Sequence, residues 1–382
     1  MRKFILSFLL VFFTVFAVSA ATYTVTEITD DGTGGTAGTL SWAITQANAG
    51  TAGIIVFNLA SGDAVTLSAA LPANTNDLTI EGTNTATGNS VTIQVTTPGT
   101  SAFRVFYIDA SSHTVTMENL VLKGGDISSL SGTSSYGGSI YLVAGTLSLD
   151  ACTISWSPAS LGGGIYNSSG GTVLITASTI VNNFATTGIY TSGTVYSYYS
   201  WYNDLSGSIN EQTAAPNITT SYTSGDLGTL ADNGGTTQTI ALSSTAPAYR
   251  AGTFVYYNAT DGYYFLDNTG ISHKLDDWNT NPTVNASDKI TTDQRGETRN
   301  NPPSIGAYKA APPYYMSKSS GNWSSTSVWY INITGGTNPD DYTTAAAEAP
   351  TANNSSGITI NNLFYFFFPV RFFLLFDFLM KR

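Results

Sequence analysis

Gly137-Gly138-Ser139-Ile140-Tyr141 returns as Gly162-Gly163-Gly164-Ile165-Tyr166 and again, worn down, as Thr187-Gly188-Ile189-Tyr190. Tyr141 to Tyr166 is 25 residues, and Tyr166 to Tyr190 is 24. Behind the first two copies come Gly145-Thr146-Leu147-Ser148-Leu149 and Gly171-Thr172-Val173-Leu174-Ile175, followed by Cys152-Thr153-Ile154 and Ser178-Thr179-Ile180. Three short strands in a repeat of this length are the sequence form of a parallel β-helix coil. Stacked coils set equivalent residues about 4.8 Å apart, so like residues form ladders. Ile140 and Ile165 are expected to stack inward and Tyr141 and Tyr166 to line the outside. The glycines suit corners where a Cβ would clash.

Upstream, short β runs such as Ile54–Phe57, Leu78–Ile80, Val91–Ile93 and Val115–Met117 are punctuated by Gly, Asn and Ser, without Asn-Gly hairpin signals. One helix stands out. In Thr39–Ala49 the apolar Leu40, Ala43, Ile44 and Ala47 fall at helical spacing, with Thr39 as N-cap and Gly50 just past the end. A short amphipathic helix before a long β region is expected to lid the open end of the core. The fold predicted is all-β: a right-handed parallel β-helix with an N-terminal capping helix.

Composition agrees. Thr, Ser, Gly, Asn and Tyr abound, and charged residues make up 10%, well below the usual quarter. The formal net charge of −11 leaves no basic stripe, which excludes nucleic acid as a natural partner. It makes cations, calcium above all, plausible partners, though no cofactor is required; Asp30-Asp31 and Asp276-Asp277 are weak ligand candidates, pairs that more often read as solvated turns. The single cysteine, Cys152, lies in an apolar stretch and reads as a small core residue. His113 in a strand-like run and His273 in a polar loop show no partner nearby in sequence. Among Asp109, Glu118, Asp126 and Asp150, with Arg104 and Lys123, no catalytic pair is recognisable, so no catalytic residue is assigned.

The ends carry their own signals. Arg2-Lys3, the apolar run Phe4–Val18 and Ser19-Ala20-Ala21 have the layout of a secretory signal peptide over 1–20, so the chain is expected to be exported to the outer surface or the medium. Residues 363–382 are dominated by Phe, and two readings stand side by side. A membrane anchor would bury Arg371 and Asp377 at about 2.5–3.5 kcal/mol each and be interrupted by Pro369. Alternatively, the tail is the truncated or frame-shifted end of a longer gene. Membrane is a partner only on the first reading.

Several segments resemble known families. Gly38-Thr39-Leu40-Ser41-Trp42-Ala43-Ile44-Thr45-Gln46-Ala47-Asn48 resembles the SLRWAI-x-x-AN opening segment of exported bacterial β-helix proteins, with Ser41 in place of arginine. The Gly-Gly-Ile-Tyr coils resemble those of polymorphic outer-membrane proteins and the pectate-lyase-like superfamily. Ala231–Leu242 is similar to the DNGG-x-T-x-T-x-x-L of the choice-of-anchor Q domain, continued here by Ala246–Gly252, Thr292–Arg299 and Ser304–Lys309. Arg250, Ser304 and Lys309 stand at positions that are acidic in that family. The resemblance covers about residues 22–310, read as a cap and β-helix over 22–222 and a choice-of-anchor Q-like part over 223–310. Within the latter, an inserted loop (253–291) rich in Tyr, Asn and Asp is the expected place for specialisation. Residues 312–362 look like the start of a further β module of large bacterial surface proteins.

The aromatic run Val195–Asn203 also has two readings. Tyr196, Tyr199, Trp201 and Tyr202 are candidates for stacking on sugar rings, or the run is a last coil covering the end of the core. The function expected is non-catalytic: adhesion to, or binding of, extracellular glycan or a host or cell surface. A structural spacer is one alternative. A polysaccharide lyase or hydrolase, implied by the superfamily resemblance alone, is another.

Overall fold

A computed structural model describes residues 20–208 with short breaks, most of 254–274 and 280–291, and otherwise little but strands between 227 and 367. The chain is a parallel β-helix. Strands β1 (Ala21–Val25), β3 (Ala52–Phe57), β5 (Asp77–Asn84), β7 (Phe106–Glu118), β9 (Ile140–Asp150), β11 (Ile165–Thr176), β13 (Ile189–Thr191) and β16 (Leu205–Ser206) pair in that order, with β14 (Thr194–Tyr198) also on β11. The intervening β2 (Thr29–Asp30), β4 (Ala64–Leu67), β6 (Val91–Val95), β8 (Leu120–Lys123), β10 (Thr153–Ser155), β12 (Thr179–Ile180) and β15 (Trp201–Tyr202) form a second parallel sheet. Because alternate strands pair, the chain winds from one sheet to the other and back, each coil resting on the last.

The long strands supply the third side. Pairing of β7 with β9 loses register between Ile108 and Thr114, where Ser112 (φ 66°) and Gly145 (φ 95°) turn the chain. The coils from β7 onward thus have three straight runs, as the repeat foretold, and Ile140, Ile165 and Ile189 stack in register with no solvent exposure. On the second sheet the column Val65, Ile93, Leu122, Ile154, Ile180 ends in Tyr202. Each isoleucine so buried contributes about 1.5–3 kcal/mol. Gly137 and Gly162 (φ 69° and 58°) open the repeat, and a Cβ at either would fall on the carbonyl of Ile140 or Ile165.

The predicted helix is α1 (Leu40–Ala49), with Thr39 as its cap, the hydroxyl accepting from Trp42 N at 3.2 Å. Leu40, Ala43, Ile44 and Ala47 join the core, and Tyr23 meets Trp42 edge to face. Further along, β17 (Leu227–Asp232) and β18 (Gln238–Leu242) make an antiparallel pair. The inserted loop is a three-stranded antiparallel sheet, β19 (Val255–Asn258), β20 (Gly262–Leu266) and β21 (Ser272–Lys274). Tyr314–Ser317, Trp329–Asn332, Thr344–Ala345 and Gly357–Thr359 form a separate four-stranded sheet.

Candidate ligand-binding groove

In-register stacking converts distant residues into columns. On the outward face of the second run of each coil, Ile54, Thr79, Thr116, Ser148, Leu174 and Tyr196 follow one another. Two positions on, Val56, Glu81, Glu118, Asp150, Thr176 and Tyr198 do the same. Alternation explains both: Val115, Met117, Leu147 and Leu149 between them point into the core. Glu118 and Asp150, scattered in sequence, are therefore neighbours in one carboxylate column with Glu81.

Over this face lies the insertion. Tyr257, Thr260, Asp261 and Lys274 form the opposing wall of a groove of about 560 Å³ whose floor includes Thr79, Glu81, Thr116, Glu118 and Ser148. That is the size of a small-ligand site. The wall is anchored at the last coil: Phe265 packs on Tyr198 (4.7 Å between ring centres) and Tyr199 (5.7 Å), and Tyr199 donates to the Leu266 carbonyl at 3.4 Å. Tyr264 donates to Asp288 at 2.8 Å, and Asn258 bridges Asp261 and Asp288.

At the coil corner a second concavity of about 500 Å³ shares Thr114 and Thr146 with the first and adds Ser111, Ser112 and His113. Here the sequence expectation is corrected: His113 has a partner, Asp77, at 3.0 Å, and Thr114 N donates to the other Asp77 oxygen at 2.7 Å. Burial works to raise Asp77, but the Thr114 and His113 hydrogen bonds outweigh it and hold the carboxylate below its usual range. His273 is corrected likewise. It lies on β21, 6% exposed, bound to Asp267 at 3.0 Å. Residues 36 and 6 apart in sequence carry no signal of pairing, since only coil stacking and a hairpin join them.

Past the corner, on the first run, Tyr107, Tyr141, Tyr166 and Tyr190 form a half-exposed outer column. Ring centres are 5.5, 4.9 and 5.1 Å apart. Arg104 lies over Tyr107 and Tyr141 and donates to the carbonyls of Ser134 and Tyr136. Burial raises the Tyr141 and Tyr166 hydroxyls, which stay protonated donors.

The aromatic candidates of the last coil divide. Tyr199, Trp201 and Tyr202 are buried (5%, 1% and 0% exposed), so the sugar-stacking reading is overturned for them: they close the end of the core, where an open coil would expose Ile180 and its neighbours. Tyr196 is half-buried and follows Leu174 at the end of the groove floor.

Of the cation candidates, Asp30 and Asp31 are engaged within the fold. Asp30 is 2% exposed, and its oxygens accept from Ser41 N, Ser41 Oγ (both 2.6 Å) and Gly32 N (2.9 Å), so it pins the start of α1. Ser41 is thus part of the cap. Asp31 is exposed and closes a turn with Thr33, whose backbone and side-chain hydrogen bonds lower its carboxylate. Asp276 and Asp277 lie outside the described residues, as do the signal-like N-terminus and residues 368–382. Among the described residues no three His, Cys, Asp or Glu side chains gather to hold a metal, and no helix is long and apolar enough to cross a membrane. Cys152 is buried, and burial raises its thiol. Its amide accepts a place in a hydroxyl column, donating to Ser178 Oγ as Ser178 N does to Ser200 Oγ.

No family model, curated protein or solved structure matches the chain. The fold and the site define a parallel β-helix with an outer groove walled by its insertion.

Proposed function

We propose that this chain is an exported, non-catalytic β-helix protein of the cell surface or medium that binds extracellular glycan, related to the pectate-lyase-like and choice-of-anchor Q proteins its motifs resemble. The observation that carries this reading is the walled groove floored by repeating Thr and Ser hydroxyls, beside a tyrosine column with the same axial repeat. A polymer with regular hydroxyls meets regular donors and acceptors there, and tyrosines offer apolar faces to sugar rings. The test is retention by a panel of immobilised glycans. Wild type is expected to be retained by at least one, and Thr116→Trp, which fills the groove from its floor, is expected to lose that retention while melting as wild type does. Retention unaffected by Thr116→Trp would move binding off the groove, and no retention at all would favour a spacer.

Polysaccharide cleavage is a second reading, favoured by the Glu81–Glu118–Asp150 column and by His113 of the adjoining concavity, which is paired with Asp77. It requires shortened products from a retained glycan, and their loss in Glu118→Gln.

A further inference from the structure

The groove is charged asymmetrically. Glu81 and Glu118 stand on its floor and Asp261 on its wall, with Lys274 the one cation among the described residues of the lining. The adjoining concavity adds His113, whose ring nitrogen lies 3.0 Å from Asp77. An anionic sugar acid entering here would meet carboxylates on both sides in a partly desolvated space, where like charges repel more strongly than in water. A cationic sugar would meet the opposite.

Spacing narrows the choice. Glu81 and Glu118 occupy the same position on adjacent coils, and Asp150 the next. Their backbones therefore repeat about every 4.8 Å along the helix axis. One sugar of an extended β-1,4-linked chain advances by nearly the same distance. The rows of Thr79, Thr116 and Ser148 beside them repeat in step.

From these observations, and resting on the glycan-binding reading above, we infer that the groove takes an amine-bearing, β-1,4-linked glucosamine oligosaccharide laid along the helix axis, with ammonium groups opposite Glu81 and Glu118 and ring hydroxyls on the Thr/Ser row. Polyuronates and sulfated glycans are excluded by the same carboxylates.

Calorimetric titration of the full chain at mildly acid pH tests this with three probes: glucosamine hexamer, its N-acetylated counterpart, and oligogalacturonate with and without calcium. The glucosamine hexamer is expected to bind at least about tenfold tighter than the acetylated one. Its affinity should fall as salt is added, and Glu118→Gln should weaken it about tenfold, narrowing its preference over the acetylated hexamer. Glu81→Gln gives the same reading should Glu118→Gln fail to fold. Equal or tighter binding of the acetylated hexamer would overturn the amine assignment and leave a neutral-glycan groove. Calcium-dependent capture of oligogalacturonate would overturn it in favour of a cation bridge. Binding of none of the probes, together with none in the glycan panel, would remove the glycan reading itself.

Discussion

At Ala151 and Ala177 the backbone takes φ of 49° and 48°, as it does at Asn119 (53°) and Tyr199 (50°). These four residues occupy the same corner of successive coils, directly after the carboxylate column and before the second sheet. Left-handed backbone costs an L-residue about 1–2 kcal/mol, and the stacked coils on either side hold it in place. Lengthening the side chain at the corner should expose that cost. Ala151→Val is expected to lower stability by about 1–2 kcal/mol, and Ala151→Gly to be near neutral, since it relieves the backbone while loosening the unfolded chain. Urea unfolding of both variants checks the pair. The sequence shows Ile140 inside and Tyr141 outside, because adjacent residues of a strand must take opposite faces. It does not show Glu81, Glu118 and Asp150 together. They are 37 and 32 residues apart, so loops of unequal length hide the common position, and only the register of the paired strands reveals it.

At the scale of elements, the capping helix was readable from spacing and caps, while the insertion was readable only as an unusual composition. Its fold depends on Phe265 meeting Tyr198 and Tyr199 from another part of the chain, and on Asp267 satisfying the turn between β20 and β21. Burial works to raise Asp267, but hydrogen bonds from Thr269, Ile271 and His273 prevail and hold its carboxylate far below the ordinary range. A carboxylate depressed in the folded state contributes its stabilisation above the unfolded value of about 3.9 and loses it as pH falls through the folded value. The urea midpoint of wild type is therefore expected to be insensitive to this site from neutral pH to about pH 4 and to fall below that. Asp267→Asn should be less stable than wild type at neutral pH and show a shallower acid limb. Parallel acid limbs for the two proteins would separate Asp267 from the hold on the insertion. The aromatic run of the last coil was legible as rich in rings but not as closed or open, because its burial depends on that same distant Phe265 and on Tyr202 continuing an isoleucine column.

Across the whole molecule, a solenoid makes a surface by repetition: whatever one coil presents outward, the next presents again one strand spacing along. The groove follows from that rule, with the insertion as its far wall. Because Cys152 is fully buried, a cysteine placed in the groove is the reactive thiol of the chain, and its labelling rate reports occupancy. Thr146, which lines both concavities, is the position to use, with Ser61, on an exposed turn that lines neither, as the control. In Thr146→Cys, saturating the best-retained oligosaccharide is expected to slow alkylation about tenfold or more, with no change in Ser61→Cys. Equal rates at Thr146→Cys with and without the oligosaccharide would contradict a binding groove on this face of the helix.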